Sequence, residues 1–175
     1  VIPQGHEAIV LHDADGVRIT AFPVNHAPTQ AVGFRIEYGG RSIVISGDTA
    51  RSDSLAHNAQ GADLLIHEAI SPRLNAIIEG AARESGRTNV GAIFHDILDY
   101  HTSPEDAGAI AQEAGVGALA LTHLLPQTPI PGLTSTFERD ARTTYNAGPV
   151  WAMRDGDVIS LPRAGGIERS HRLRF

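Results

Sequence analysis

A chain of 175 residues is enough for one domain of ordinary size, and 42% hydrophobic against 19% charged residues describes a folded globular chain rather than a disordered one. A formal net charge of -6 argues against a broad basic face for wrapping nucleic acid. Cys is absent, which excludes disulfides and thiolate metal sites, and no apolar run approaches the roughly 20 residues of a membrane span.

In chain order, Ala8–Leu11 and Val17–Val24 are short apolar or alternating runs separated by turn chemistry at Asp13-Ala14-Asp15-Gly16, and read as strands. Ala31–Tyr38 alternates, Gly39-Gly40 is a two-residue hairpin signal, and Ser42–Ser46 reads as a buried strand. A helix is expected over Ser52–Ala59 and a short buried strand over Asp63–Ile66. Asn89–Phe94 reads as a flexible loop beside a pocket. Ser103-Pro104-Glu105-Asp106 opens a helix with a hydroxyl cap, Pro in the first turn and two acids, and Gly115 ends it after Ala114. Strand Ala118–Thr122 leads into His123, followed by a Pro-rich rim over Pro126–Leu133. Helix Ser135–Tyr145 and strands Val150–Met153 and Asp157–Leu161 follow, the last two joined by Asp155-Gly156. The domain is expected to fill 1–162, with 163–175 an Arg- and Gly-rich tail lying loosely on the surface.

Five segments place a metal-type side chain at or just after a strand. They are Phe22-Pro23-Val24-Asn25-His26, Ile45-Ser46-Gly47-Asp48-Thr49, Leu65-Ile66-His67-Glu68-Ala69, Asp99-Tyr100-His101-Thr102-Ser103 and Leu121-Thr122-His123. Strand ends in layered α/β folds aim side chains into a shared crevice, so residues distant in sequence can converge there. Neutral imidazole suits divalent zinc or iron, and a carboxylate can bridge two metals. Each segment also has an ordinary reading. A His at a strand end commonly makes a hydrogen bond, Gly47-Asp48-Thr49 suits an Asx turn, and His67-Glu68 can simply end a strand. His95, Asp96 and Asp99 read as a solvated approach to a helix, and His6, His12, His57 and His171 as surface residues.

In their order and spacing the five segments resemble the second half of metallo-β-lactamase-fold hydrolases of the ribonuclease Z and arylsulfatase-like branch. The resemblance runs from Gly16 to Pro126, about two thirds of the chain. It implies an α/β fold, a four-layer αββα sandwich of which this chain supplies mainly the second ββ/α half. It also implies two divalent metal ions, zinc first and manganese or iron(II) as alternatives, with His26, Asp48 and His123 as ligands and Asp48 bridging. His101 then resembles the proton donor to the leaving group, oriented by Glu68.

The family's His-x-His-x-Asp-His motif is absent from this chain, so the missing N-terminal half of the domain is an expected partner. That absence is also the one support for a degenerate, non-catalytic binding module. Asp48 follows His26 by only 22 positions, which leaves room for a hairpin and none for the long tRNA arm of short bacterial ribonuclease Z. The chain has no Lys and no basic cluster near the site. The sequence therefore favours a small-molecule ester, sulfate or phosphate as substrate. A hydroxide held by the two metals would attack it, and a ribonuclease Z-like nuclease is the alternative. A membrane partner is not expected, a homodimer is allowed by the resemblance alone, and cytoplasmic placement is favoured although the chain opens at Val1.

Overall fold

The computed structural model describes residues 4–127 and 132–172. Its main element is a seven-stranded sheet in which spatial and sequence order coincide. The strands are β1 (Ile9–Ala14), β2 (Val17–Val24), β3 (Ala31–Tyr38), β4 (Arg41–Ile45), β5 (Leu64–Ile70), β6 (Leu119–Leu125) and β7 (Val150–Ala152).

The first four strands are antiparallel because tight turns join them. Asp15-Gly16 and Gly39-Gly40 all take positive φ, the backbone that two-residue hairpins with right-handed twist require. From β4 onward the pairing is parallel, so each connection is a crossover carrying helices. Helix α1 (Asp53–Asn58) links β4 to β5. Helices α2 (Pro72–Glu84), α3 (Thr88–Asp96) and α4 (Pro104–Ala114) link β5 to β6, and α5 (Thr134–Ala141) lies between β6 and β7. As the sequence indicated, Ser103 caps α4 through the Asp106 N–H and Gly115 leaves it in the left-handed conformation.

The two faces of the sheet have different coverings. Phe22, Val44, Leu65 and Leu121 pack under the helices with Leu55, Ile110, Phe137 and Tyr145. The Tyr145 hydroxyl donates to the Val116 carbonyl, so its polar end is satisfied. On the opposite face Ala21, Phe34, Ile45, Ile66, Ala120 and Trp151 follow one another in register across six strands. Phe34, Ile45, Ile66 and Trp151 in that row are only half-buried. A hairpin of β8 (Asp157–Ser160) and β9 (Glu168–His171) covers one end of this face through Ile159, Leu161 and Ile167.

Several sequence expectations need correction. Asn89–Phe94 is not a loop: it lies within α3, and Gly91 packs so closely on Arg83 that a Cβ there would collide with that side chain. Helix α2 was not anticipated, although Ser71-Pro72 repeats the cap signature of α4. Strand β5 continues through Glu68 to Ile70, and β6 continues past His123 to Leu125, so both residues sit within strands. Strand β1 extends to Ala14, which confines its turn to Asp15-Gly16. Helix α5 stops at Ala141, with Thr143–Tyr145 in successive turns bonded back to it. The tail is not uniformly loose, since Glu168–His171 pairs with β8. Within the expected rim, 128–131 lie outside the described residues, as do 173–175 of the tail. Among the described residues no helix is long and apolar enough to cross a membrane.

Candidate active site

The site forms where β2, β4, β5 and β6 end on a common edge. Asn25, at the end of β2, bridges to Ala50, and its N–H donates to the Thr49 hydroxyl at 2.9 Å. That stitch holds His26 against the loop that carries Asp48. His26 Nδ1 lies 3.1 Å from Thr29 Oγ1, and the Thr29 hydroxyl donates to the His26 carbonyl. The network assigns the His26 proton to Nδ1, which leaves the Nε2 lone pair for another partner.

His123 owes its position to a bulge. Glu68 pairs with Thr122 and Ala69 with Leu124, so His123 is the extra residue in β6. It adopts φ 43°, a left-handed backbone that a side-chain-bearing residue holds only when its neighbours fix it. Here the paired residues on both sides do so. His123 Nδ1 stands 3.2 Å from Asp48 Oδ1, and both side chains are 46% exposed.

Glu68 is the hub beneath them, with a side chain only 1% exposed. Its Oε1 accepts from the Thr49 N–H at 3.1 Å, the Thr102 N–H at 3.2 Å and His101 Nδ1 at 2.9 Å. Its Oε2 is buried with no partner among the described residues. The Thr102 hydroxyl donates to the Thr49 carbonyl, closing a ring that joins the segments after β4 and before α4. Burial by itself pushes the His101 imidazole pKa down. The Glu68 hydrogen bond and the charges of Glu68 and Asp48 outweigh it, so the net shift is upward.

The imidazoles gather closely. Ring centroids of His26 and His101 are 5.4 Å apart, those of His101 and His123 5.7 Å, and Tyr100 packs against both His26 and His101. Ligand atoms of Glu68, His101 and His123 all lie within 4.8 Å of one another. This tightest grouping differs from the expected set of His26, Asp48 and His123, but the five residues share one cluster. The donor chemistry fits divalent zinc, manganese or iron, since neutral imidazole nitrogens and carboxylate oxygens are what those ions take. Three groups are fewer than two metals need, so His26, Asp48 and His123 fit as part of a ligand set.

Other titratable residues lie elsewhere. His67 sits on the helix-covered face between Leu65 and Ala69, fully buried, with Nδ1 2.7 Å from the Glu68 carbonyl. Burial outweighs the nearby carboxylates and lowers its pKa, which keeps it neutral. His95 pairs with Glu79, His6 packs on His57, and His171 pairs with Asp157. Asp96 and Asp99 are exposed. Sequence reasoning missed the parts played by Thr49, Tyr100 and Thr102. Each adjoins a residue it had singled out, but only the folded chain brings them together.

Residues 2–124 match the family described as the Beta-lactamase superfamily domain. A Putative ribonuclease Z of Mycobacterium tuberculosis (strain CDC 1551 / Oshkosh) is 42% identical over 135 residues, covering 77% of this chain and 55% of that protein. A Ribonuclease Z of Mycobacterium tuberculosis (strain ATCC 25618 / H37Rv) is also 42% identical over 135 residues, with 45% of its length covered. The chain thus spans about half the length of the curated relatives it matches. Among solved structures, the metallo-beta-lactamase fold protein YhfI of Bacillus subtilis aligns with a TM-score of 0.57 and 25% identity, over 85% of this chain and 51% of that one. Igni18, a metallo hydrolase of Ignicoccus hospitalis, aligns at 0.56 over 99% of this chain and 60% of its own, and at 13% identity it speaks for the fold alone. By sequence and by fold, the chain belongs to the beta-lactamase superfamily, as a metallo-β-lactamase-fold protein of the ribonuclease Z branch.

Proposed function

We propose that this chain is the C-terminal part of a metal-dependent phosphodiesterase that hydrolyses RNA. The observation that carries the reading is the Glu68–His101 pair, almost wholly screened from solvent and set beside His123 and Asp48. A carboxylate on Nδ1 fixes the imidazole tautomer and leaves Nε2 to exchange a proton. The same contacts raise the His101 pKa, which moves the ring toward the protonated form that can donate to a departing oxygen. His26, Asp48 and His123 would hold the metal, Asp48 as the shared carboxylate that the resemblance implies, and zinc is the first choice of ion. Bound metal would supply Lewis acidity at a phosphoryl oxygen. Tyr100 packs on His26 and His101 and holds both rings in place.

The half-buried apolar row from Phe34 to Trp151 supports the partnership with another half-domain. A second sheet laid on that face would complete the four layers and could bring the remaining ligands to the same edge.

On the substrate, the sequence favoured a small ester, sulfate or phosphate with nucleic acid disfavoured, and the relatives favour the alternative, RNA, instead. The relatives at 42% identity are named ribonuclease Z, and those names lend nothing to the arylsulfatase-like resemblance. The short β3–β4 hairpin does stand where the tRNA arm was sought. An arm is one means of holding RNA, so its absence does not decide what bond is cleaved.

The test is a side-by-side assay of the full-length protein on structured RNA and on aryl sulfate and carboxylic ester substrates. RNA cleavage that weakens steeply as salt rises is the expected result. Ester or sulfate turnover without RNA cleavage would restore the small-substrate reading.

A further inference from the structure

A cavity of about 640 Å³ opens beside His123, walled by Thr122, Leu124, Gln127, Thr134, Met153 and Arg154, with Asp155 at its edge. Arg154 is exposed, and among the described residues it forms no ion pair, whereas Arg41, Arg51, Arg83, Arg139 and Arg169 all do. Its base is anchored. The Arg154 N–H donates to Asp157 Oδ2 at 2.9 Å, and that carboxylate, only 2% exposed, is gripped by Arg169 as well. Nη2 of Arg154 stands 3.5 Å from the Thr134 hydroxyl, across the mouth of the cavity. A cation anchored at its backbone therefore faces a space that also presents two hydroxyls and one carboxamide able to donate hydrogen bonds, beside the His123 imidazole and the Asp155 carboxylate.

We infer that this cavity seats a phosphate of the nucleotide next to the scissile bond, with Arg154 as its cation. The inference rests on the phosphodiester reading above and specifies which part of the substrate lies on the His123 side. A guanidinium grips two phosphate oxygens at once through its planar fork. Leu124 and Met153 offer the sugar or base an apolar wall. Asp155 opposes the anion from the same edge, so the two neighbouring residues act with opposite signs.

The experiment is calorimetric titration of the full-length protein with adenosine 5′-monophosphate, with inorganic phosphate and adenosine as separate probes. The nucleotide should bind saturably, phosphate more weakly and adenosine not measurably. Arg154→Ala should raise the nucleotide Kd about tenfold, Arg154→Lys should recover part of the loss, and Asp155→Asn should lower Kd several-fold. Metal content and circular dichroism should be unchanged, because the Arg154 backbone contact survives truncation. On RNA, Arg154→Ala should raise KM with little change in kcat and reduce the slope of log affinity against log salt by about one. Equal nucleotide affinity in wild type and Arg154→Ala overturns the inference, as does a wild type that binds none. Arg154-dependent nucleotide binding without RNA cleavage would uphold the anion site while removing the nuclease reading. RNA cleavage indifferent to Arg154 would do the reverse.

Discussion

Glu68 and His67 are adjacent, both polar and both buried, yet they serve opposite faces of β5. The pleat sends successive side chains to opposite sides, so His67 enters the helix-covered core and Glu68 the site edge. Sequence alone put both in the same candidate segment, and only the register separates them. The pairing of Glu68 with His101 was legible through the family resemblance, which sets that carboxylate behind that imidazole. The hold of the same oxygen on the Thr49 and Thr102 N–H groups was not, since backbone donors depend on chain path rather than residue type. If His101 donates the proton, His101→Ala should lower RNA turnover about 100-fold or more with metal content unchanged. Elemental analysis beside the kinetics checks this, and loss of metal in that variant would make His101 a ligand instead.

At the scale of elements, legibility tracked local chemistry. Helix α4 announced itself through Ser103-Pro104 and Gly115, and the β3–β4 hairpin through Gly39-Gly40. Helix α3 was hidden because Gly91 reads as a loop residue, whereas its lack of a side chain serves packing on Arg83 of α2. Gly108 of α4 is a similar case: a Cβ there would run into the Ala141 carbonyl and Thr144 hydroxyl at the end of α5. Gly108→Ala should therefore destabilise the fold by about 2 kcal/mol despite its better helix propensity, measured by urea unfolding. A stabilised variant would mean that the α4–α5 contact yields freely.

Asp63 ties another set of elements together. It accepts from Arg41 Nη1 at 2.6 Å and the Ser42 N–H at 2.8 Å, while Arg41 also donates to the Pro162 and Gly165 carbonyls. Burial alone would raise the Asp63 carboxyl, but the Arg41 and Ser42 hydrogen bonds and the Arg41 charge outweigh it and hold the pKa below its ordinary 3.8. A depressed carboxylate contributes stability that is present above the unfolded value and lost as pH falls through the folded one. Asp63→Asn should cost about 1–2 kcal/mol at pH 7, and the gap to wild type should narrow as pH falls below the ordinary 3.8. Unfolding curves at pH 7 and pH 3 provide the check, and a gap independent of pH would assign the loss to packing.

Across the whole molecule, the apolar runs in β4 and β5 foretold buried strands, while the layering around them was implied only by the resemblance. Which face the helices take, and that β8 and β9 return to cover one end of the other, depends on register that local patterns do not encode. The proposal of a larger assembly rests on the half-buried remainder of that face and on the proposed assignment of His26, Asp48 and His123 to metal. Metal content by elemental analysis tests that claim most directly, comparing the full-length protein, its Asp48→Ala variant and this chain alone. The account predicts about two equivalents in the full-length protein, most of that lost in Asp48→Ala, and little in the isolated chain. A metal-free full-length protein, or an Asp48→Ala variant that keeps both equivalents, would contradict it.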